Sequence, residues 1–403
     1  MESVAIIAEF NPFHTGHAYL IRQVRQLSGP DTAIVVIMSG AFVQRGEPAF
    51  FDKWHRAAWA IAGGADAVIE LPAVYALSSA SGFALGGVAL AARLGCQALA
   101  CGVEKGTAGD FLTLARSDDE LEAVPETAKK VSAGQARTDI LMAAAPDEAR
   151  LLEQPNALLA FEYARAILRQ EQALTFLPLP RQGRHGDVRL GAPFASASAL
   201  RQAMAAHQDG ASPYISYILE SSRPSLQKLL RHGAFTDYGR YGDFVASQNR
   251  LLTPDQLRRL PAFTEGLENR WHRAFMESGS CPQALKTIKT RRYAYSRLCR
   301  MGAYTLLQPS RDLMDCSYEA GPQYARLLAL NERGATFLKG VKGQFPVVTK
   351  VRSDAASLSP LGQEQLKLDL RASDIQFFCF TKEDQRQGHQ DYYHSPLFLS
   401  VKK

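Results

Sequence analysis

The stretch Val4-Ala-Ile-Ile-Ala-Glu-Phe-Asn-Pro-Phe-His-Thr-Gly-His17 joins a short apolar run to the start of a helical pattern. Residues 4–8 are continuously apolar, which predicts a strand buried on both faces of a sheet. From Ala18 to Leu27, apolar residues recur at helical spacing on one face. A strand that leads through one loop into a helix is the repeating unit of parallel α/β folds.

The same alternation continues through the first 200 residues. Apolar runs predict strands at Ala33–Met38, Ala65–Leu71 and Ala98–Cys101, separated by helices at Lys53–Ala62 and Ser81–Arg93. Such a pattern implies an α/β fold, a Rossmann-like doubly wound parallel sheet covered by helices on both faces. Because ligands bind beyond the carboxyl ends of such strands, the loops after the first and fourth strands are the first candidates for a site.

The pattern changes near residue 205, and we expect an α/β domain over residues 1–205 and a mainly helical domain over residues 206–403. Proline stands near the start of most helical segments in this second half. The predicted helices are Ser222–Leu230, Thr253–Glu277 with a break at Pro261, Cys281–Leu307 and Gln323–Leu338. The predicted strands are Pro346–Lys350 and Ile375–Phe380.

Composition excludes several classes of protein. The chain has 403 residues, of which 46% are hydrophobic and 21% charged, so long disorder, collagen and a coiled-coil rod are excluded. The six cysteines show neither zinc-knuckle nor redox spacing, and the short apolar start is no signal peptide. No window approaches ~18 uninterrupted apolar residues, so we expect a cytoplasmic protein without a membrane partner. The net charge of +6 permits an anionic partner.

The strongest functional signal is His14-Thr-Gly-His17, which follows the first strand and opens the first helix. A helix N-terminus presents unpaired N–H groups to a phosphate, and Gly16 lets a ligand approach the backbone. Two histidines three residues apart lie on one side of the first turn, where they can donate hydrogen bonds to a triphosphate. The alternatives are two capping histidines or a metal pair. Because no acidic or cysteine ligand accompanies them at a suitable spacing, we predict no metal site.

A second element, Phe194-Ala-Ser-Ala-Ser-Ala-Leu-Arg201, closes the α/β half. Either Ser196 or Ser198 is suited to cap the helix that begins here. By itself the segment is an ordinary helix start. Together with the histidine pair it predicts the other side of a phosphate clamp, with Arg201 as a fixed cation one turn into the helix.

The segment Cys281–Arg300 is strongly basic and contains no acid. Tyr293 and Tyr295 lie among its cations, a combination that suits RNA, because cations bind phosphates and tyrosine stacks on unpaired bases. The alternative is an ordinary solvated helix face. The cations are Lys286, Lys289, Arg291, Arg292, Arg297 and Arg300.

The segment Gln44-Arg-Gly-Glu47 leaves two interpretations open. Arg45 either faces a substrate at the end of the second strand, with Lys53 and Arg56 nearby in sequence, or pairs with Glu47 to shape the loop.

His14-Thr-Gly-His17 together with Ser196–Arg201 resembles the nucleotidyltransferase branch of the adenylate-forming Rossmann-like superfamily. Longer runs are similar to the bacterial tRNA(Met) cytidine acetate ligases, from the first strand to about residue 340. These runs are Ile7–His17, Met38–Ala49, Asp66–Pro72, Gly102–Gly106, Gln154–Tyr163, Lys289–Arg297 and Tyr324–Gly334. The segment Pro155-Asn-Ala-Leu-Leu-Ala160 keeps only the first asparagine of the family's pattern.

The resemblance implies an enzyme that uses acetate and ATP to acetylate N4 of the wobble cytidine in elongator tRNA(Met), through acetyl-adenylate. It implies catalytic roles for His14, His17 and Arg201, and it favours tRNA as the partner of the basic segment. Mg²⁺ is compatible as a phosphate counterion, although no motif indicates it. The implied ATP contacts are Ile7, Ala8, Glu9, Phe10, Asn11, Pro12, Phe13, His14, Thr15, Gly16, His17, Ala18, Tyr19, Leu20, Gly102, Asn156, Ser198 and Arg181, with Arg184 as the alternative to Arg181.

Two other functions are open from the residues. One is an adenylyltransferase that joins AMP to a small phosphate-bearing metabolite, which would leave the basic second half unexplained. The other is a non-catalytic RNA-binding protein with a vestigial nucleotide site, against which the intact His14, Gly16, His17 and Arg201 argue.

Overall fold

A computed structural model describes residues 2–122, 146–154, 156–171, 173–181, 195–207, 213–290 and 292–400. Within these ranges the strands are β1 (Ser3–Ala8), β2 (Ala33–Ser39), β3 (Phe42–Val43), β4 (Glu47–Pro48), β5 (Ala67–Leu71), β6 (Ala98–Val103), β7 (Thr175–Pro180), β8 (Ala325–Leu330), β9 (Val347–Val348) and β10 (Leu397–Phe398). The helices are α1 (Thr15–Ser28), α2 (Lys53–Ala62), α3 (Ala73–Ala76), α4 (Ala80–Arg93), α5 (Ala108–Glu122), α6 (Pro146–Ala149), α7 (Ala157–Leu168), α8 (Ala197–Ala206), α9 (Arg223–Arg231), α10 (Tyr238–Leu251), α11 (Pro254–Arg258), α12 (Leu267–Glu277), α13 (Cys281–Ile288), α14 (Tyr295–Leu307), α15 (Arg311–Ala320), α16 (Glu332–Val341), α17 (Val351–Asp354) and α18 (Pro360–Phe378).

The main sheet is centred on β1 and β2. Its strand order is β10-β8-β5-β2-β1-β6-β7, with β9 beside β8. The run from β5 to β7 is parallel throughout. Strand β8 pairs antiparallel with β5, and β9 and β10 pair parallel with β8, so these three strands run opposite to the others. Strand β2 is buried over its whole length because helices cover both faces. The predicted Rossmann-like parallel sheet is therefore confirmed, with β8, β9 and β10 added in the opposite direction.

Strand β1 lies where the chain order reverses, between β2 on one side and β6 on the other. Its pairing with β6 aligns Ile6 with Ala100. The loops that leave the carboxyl ends of β1 and β6 are consequently neighbours that diverge to opposite sides. A crevice forms at such a reversal, and it is the usual ligand site of doubly wound sheets.

Two predictions in the second half were wrong in type, and a third was wrong in the continuity of its helix. Gln323–Leu338 is not one helix but strand β8 followed by helix α16, because the apolar run 325–330 pairs with β5 in the sheet. Cys281–Leu307 is two helices, α13 and α14. Ile375–Phe380 is not a strand, since it falls largely within the last turns of α18. The break near Pro261 is confirmed by the separation of α11 from α12.

The two halves of the chain share a buried ionic cluster. Lys53 Nζ lies 2.8 Å from Glu70 Oε1 and 2.7 Å from Asp391 Oδ1. Arg326 Nη2 lies 2.8 Å from the same Asp391 oxygen, and all four side chains are buried. Strand β8 and this cluster tie the second half to the α/β sheet, and the division at residue 205 stays a prediction. None of the helices in the described ranges combines the length and apolar character needed to cross a membrane.

Candidate active site

A cavity of about 620 Å³ opens at the carboxyl ends of β1 and β6. The predicted residues that line it are Ile7, Ala8, Glu9, Phe10, Asn11, His14, Gly16, His17, Tyr19, Leu20, Gly102, Asn156, Arg181, Ser198 and Arg201. Four other residues of the predicted ATP loop do not line the cavity. They are Pro12, Phe13, Thr15 and Ala18, of which Phe13 and Ala18 are buried in the core.

His14 and His17 cap the first turn of α1 with one ring nitrogen each. His14 Nδ1 accepts a hydrogen bond from Gly16 N at 3.0 Å, and His17 Nδ1 accepts one from His14 N at 3.3 Å. The two rings stack with their centroids 3.7 Å apart. Because each Nδ1 is an acceptor, the proton of each neutral imidazole is on Nε2. The pair is thus both a helix cap and a source of two N–H donors.

Burial keeps both imidazoles neutral. It lowers the pKa of His14 to about 3, with a further contribution from the Arg181 charge. Burial, His14 and Arg181 together lower the pKa of His17 well below its ordinary value of 6.5. At neutral pH the pair therefore offers hydrogen bonds without a net charge.

We expect acid to destabilise the protein through His14. The unfolded chain binds a proton near pH 6.5 whereas the folded chain does not until pH falls to about 3, so stability is lost as pH falls below 6.5. His14→Asn keeps an acceptor near the Nδ1 position but does not titrate. Between pH 6.5 and 5, the free energy of unfolding measured with urea should fall by about 1.5 kcal/mol less in this variant than in the wild-type protein. Equal declines in both proteins would mean that buried His14 is protonated in the folded state.

Arg201 joins the start of α8 to the loop after β1. Its Nη1 donates to Asn11 O at 2.7 Å, and its Nη2 lies 3.3 Å from Glu47 Oε1 and 3.4 Å from Ser198 Oγ. Ser196 is the helix cap, since its Oγ accepts from Ala199 N at 3.2 Å. The structure therefore resolves the choice between the two serines, and it leaves Ser198 on the cavity wall beside Arg201.

Three residues implied by the resemblance meet on the β6 side of the cavity. Arg181 Nη1 donates to Asn156 Oδ1 at 3.1 Å. The absence of a side chain at Gly102 leaves room for Arg181, because a Cβ there would lie 2.6 Å from Arg181 Cγ. Glu104 accepts from Asn156 N at 3.3 Å and so fixes the start of α7. Arg184, the alternative to Arg181, lies outside the described residues.

Gln44, Arg45 and Glu47 form part of the wall. The sequence left this position open, because a substrate-facing Arg45 was only one of two interpretations. Gln44 N donates to Glu9 Oε1 at 2.9 Å, while burial raises the pKa of Glu9. Lys53 and Arg56 do not line the cavity. Arg56 is buried and donates to the backbone oxygens of Glu9 at 2.7 Å and Ser39 at 3.0 Å, so its role is structural.

The basic segment presents a mixture of exposed and engaged cations. Lys286 and Lys289 are exposed, as is Arg292, which forms an ion pair with Glu265. Arg297 and Arg300 are half-buried, and Arg300 Nη1 donates to Gln44 O at 3.2 Å. This last contact joins the segment to the cavity wall. Arg291 lies outside the described residues.

The sequence matches the HIGH Nucleotidyl Transferase family over residues 1–391. A tRNA(Met) cytidine acetate ligase of Syntrophomonas wolfei is 33% identical over 98% of this chain and 99% of its own length. That of Pediococcus pentosaceus is 36% identical over 88% of this chain and 90% of its own length. This chain belongs to the tRNA(Met) cytidine acetate ligase family.

Solved structures of this ligase family agree with the fold. The crystal structure of apo Thermotoga maritima TmcAL is similar over the whole of both chains, with a TM-score of 0.92 and 29% identity. The form of the same protein bound with alpha-thio ATP gives a TM-score of 0.90. The family membership and fold class predicted from the motifs are thereby confirmed.

Proposed function

We propose that this chain is an ATP-dependent ligase that forms N4-acetylcytidine at the wobble position of elongator tRNA(Met), through acetyl-adenylate. The observation that carries the proposal is the cavity wall, where two neutral histidines at a helix N-terminus face Arg181 and Arg201. Family membership and the alpha-thio ATP bound by the Thermotoga maritima relative support ATP as the nucleotide.

In the first step an acetate oxygen attacks the α-phosphorus of ATP. A bond forms between acetate and the α-phosphate, the bond from that phosphorus to the bridging oxygen breaks, and pyrophosphate leaves. Negative charge grows on the phosphate oxygens, and the Nε2–H groups of His14 and His17 are placed to stabilise it. Arg201 adds a fixed positive charge. Asn11, Glu47 and Ser198 use only part of its five N–H donors, so its guanidinium can also donate to a phosphate oxygen.

In the second step the exocyclic amine of cytidine attacks the acetyl carbonyl carbon. The new C–N bond replaces the C–O bond to AMP, which leaves, and the amine loses one proton to solvent. An aromatic amine is a weak nucleophile, so its position must be fixed closely, and the base has to leave its stack to enter a cavity. We assign Lys286, Lys289, Arg292, Arg297 and Arg300, with Arg291, to binding of the tRNA backbone.

Mg²⁺ is part of the proposal only as a counterion of the triphosphate. Among the residues that the structure describes, no group of three or more histidine, cysteine or acidic side chains could hold a metal. Phosphate oxygens and water would therefore hold the ion, as is usual for Mg²⁺. The roles given above to the protein residues do not depend on where this ion binds. We also propose that the reaction takes place in the cytoplasm, where the tRNA is.

The test is mass spectrometry of nucleosides from tRNA incubated with the protein, ATP and labelled acetate. We expect label in N4-acetylcytidine only when ATP is present, and none in a matched tRNA whose wobble cytidine is replaced by uridine. ATP turnover without labelled nucleoside would instead favour an adenylyltransferase with another acceptor. Binding of tRNA with no acetate-dependent exchange of pyrophosphate into ATP would favour a non-catalytic RNA-binding protein.

A further inference from the structure

Arg45 stands at the rim of the cavity, at the turn between β3 and β4. The register of this hairpin pairs Val43 with Glu47, which leaves residues 44–46 as its tip. Arg45 is exposed and yet lines the cavity. Its guanidinium makes no hydrogen bond or ion pair with the residues that the structure describes. Its neighbouring acid, Glu47, pairs with Arg201 at 3.3 Å, so the structure does not support the alternative in which Arg45 and Glu47 pair.

The backbone on both sides of Arg45 is held in place. Gln44 N donates to Glu9 Oε1 at 2.9 Å, and Gln44 O accepts from Arg300 Nη1 at 3.2 Å. On the other side, Gly46 O accepts from the buried Tyr241 hydroxyl at 3.1 Å. The fixed backbone therefore presents a cation that forms no hydrogen bond or ion pair with the described residues, and whose charge acts to lower the pKa of Glu9 on the cavity wall.

Gly46 brings this tip against the basic segment. Its φ of +85° is in the left-handed region, and a Cβ at this position would lie 2.3 Å from Arg300 N. The hairpin tip thus packs directly on α14, the helix that carries the last cations of the basic segment. Arg45 consequently lies between the basic segment and the nucleotide cavity.

We propose that Arg45 binds a phosphate of the RNA strand next to the target cytidine and so positions that nucleotide over the cavity. This inference rests on the proposed function, because it assumes that RNA delivers a base to the acetyl-adenylate. An RNA strand that follows the basic segment to the cavity passes this hairpin tip. A guanidinium suits the task, since its planar fork can bind two phosphate oxygens at once and fix direction as well as distance.

The test compares Arg45→Ala and Arg45→Lys with a control, Arg116→Ala, which removes an exposed cation on α5 away from the cavity. We expect Arg45→Ala to weaken tRNA binding about tenfold and to reduce the slope of log affinity against log salt by about one. Arg45→Lys should retain the slope but transfer acetyl from synthetic acetyl-AMP more slowly, because a point charge does not fix the phosphate's orientation. Acetate-dependent exchange without tRNA should fall by a smaller factor than tRNA affinity does.

Two results would overturn the assignment. An equal loss of exchange in the absence of tRNA would assign the contact to the phosphates of ATP. Affinity and salt slope that match those of Arg116→Ala would mean that Arg45 contacts no RNA phosphate. The affinity and the salt slope are both measured without acetylation. If the wild-type protein formed no N4-acetylcytidine, the proposed function would be contradicted. The binding measurements would still test whether Arg45 contacts an RNA phosphate.

Discussion

His17→Asn is expected to lower acetate-dependent exchange of pyrophosphate into ATP by about 10²–10³-fold. The asparagine Oδ1 can take the place of His17 Nδ1, which accepts from His14 N at 3.3 Å, so the cap of α1 is retained. The amide does not reach the position of Nε2, so one of the two donors that we assign to the triphosphate is lost. The substitution therefore separates the chemical role of His17 from its role in the fold, which an alanine would not do.

The exchange assay needs a matched control, and His55→Asn provides one. His55 lies in the first turn of another helix, α2, where its Nδ1 is 2.7 Å from Asp52 Oδ2, and it does not line the cavity. We expect that variant to exchange pyrophosphate at the wild-type rate, and His17→Asn to bind tRNA with wild-type affinity. Near-normal exchange by His17→Asn, or a loss of tRNA binding, would contradict the assigned role.

The first half of the fold was predictable because its strands are buried on both faces. Continuous apolar runs such as Ala33–Met38 match the observed β2 to within one residue. The helix Lys53–Ala62 was predicted with its observed bounds, and it begins at Asp52, whose carboxylate accepts from His55 N at 2.9 Å. Periodicity and capping are local signals, and in this half they agree with the tertiary structure.

Strand β8 could not be predicted by the same means. Its residues, Ala-Arg-Leu-Leu-Ala-Leu, favour a helix when taken alone. They form a strand because β5 offers an edge to pair with, more than 250 residues earlier in the chain. Pairing over that separation leaves no local signal in the sequence.

Some residues of the site were likewise predictable from local sequence, and others were not. The spacing of His14 and His17 at a helix start predicts their role as donors. The serine-rich helix start predicts the position of Arg201. The position of Arg45 was left open because it depends on a contact between Gln44 and Arg300, which are far apart in sequence. The pairing of Glu47 with Arg201 was hidden for the same reason.

The largest effect on stability is expected from Lys53→Met, which should lower the free energy of unfolding by about 3–5 kcal/mol. Lys53 is one of two cations in the buried cluster with Glu70 and Asp391, at 2.8 and 2.7 Å from their oxygens. Methionine nearly preserves the volume of the side chain, but among the described residues it leaves Arg326 as the remaining ion-pair partner of the two buried carboxylates. The uncompensated charge, rather than a cavity, is therefore the source of the loss.

The pH dependence of this loss identifies its origin. Burial acts to raise the pKa of Asp391, but the charges of Lys53 and Arg326 hold it below its ordinary value. Without Lys53 that pKa rises, so protonation of the carboxyl at lower pH should relieve part of the destabilisation. Loss of packing alone would give the same difference from wild type at every pH.

Urea unfolding should be followed by far-UV circular dichroism, because Lys53 lies 5.2 Å from the Trp54 ring and its replacement would alter tryptophan fluorescence directly. The control is Lys367→Met, which breaks an exposed pair with Glu364 at 2.6 Å and should change stability by less than about 0.5 kcal/mol. A loss of under about 1 kcal/mol for Lys53→Met would mean that water or a rearranged Arg326 compensates the carboxylates. The cluster would then contribute little to holding the two halves of the chain together.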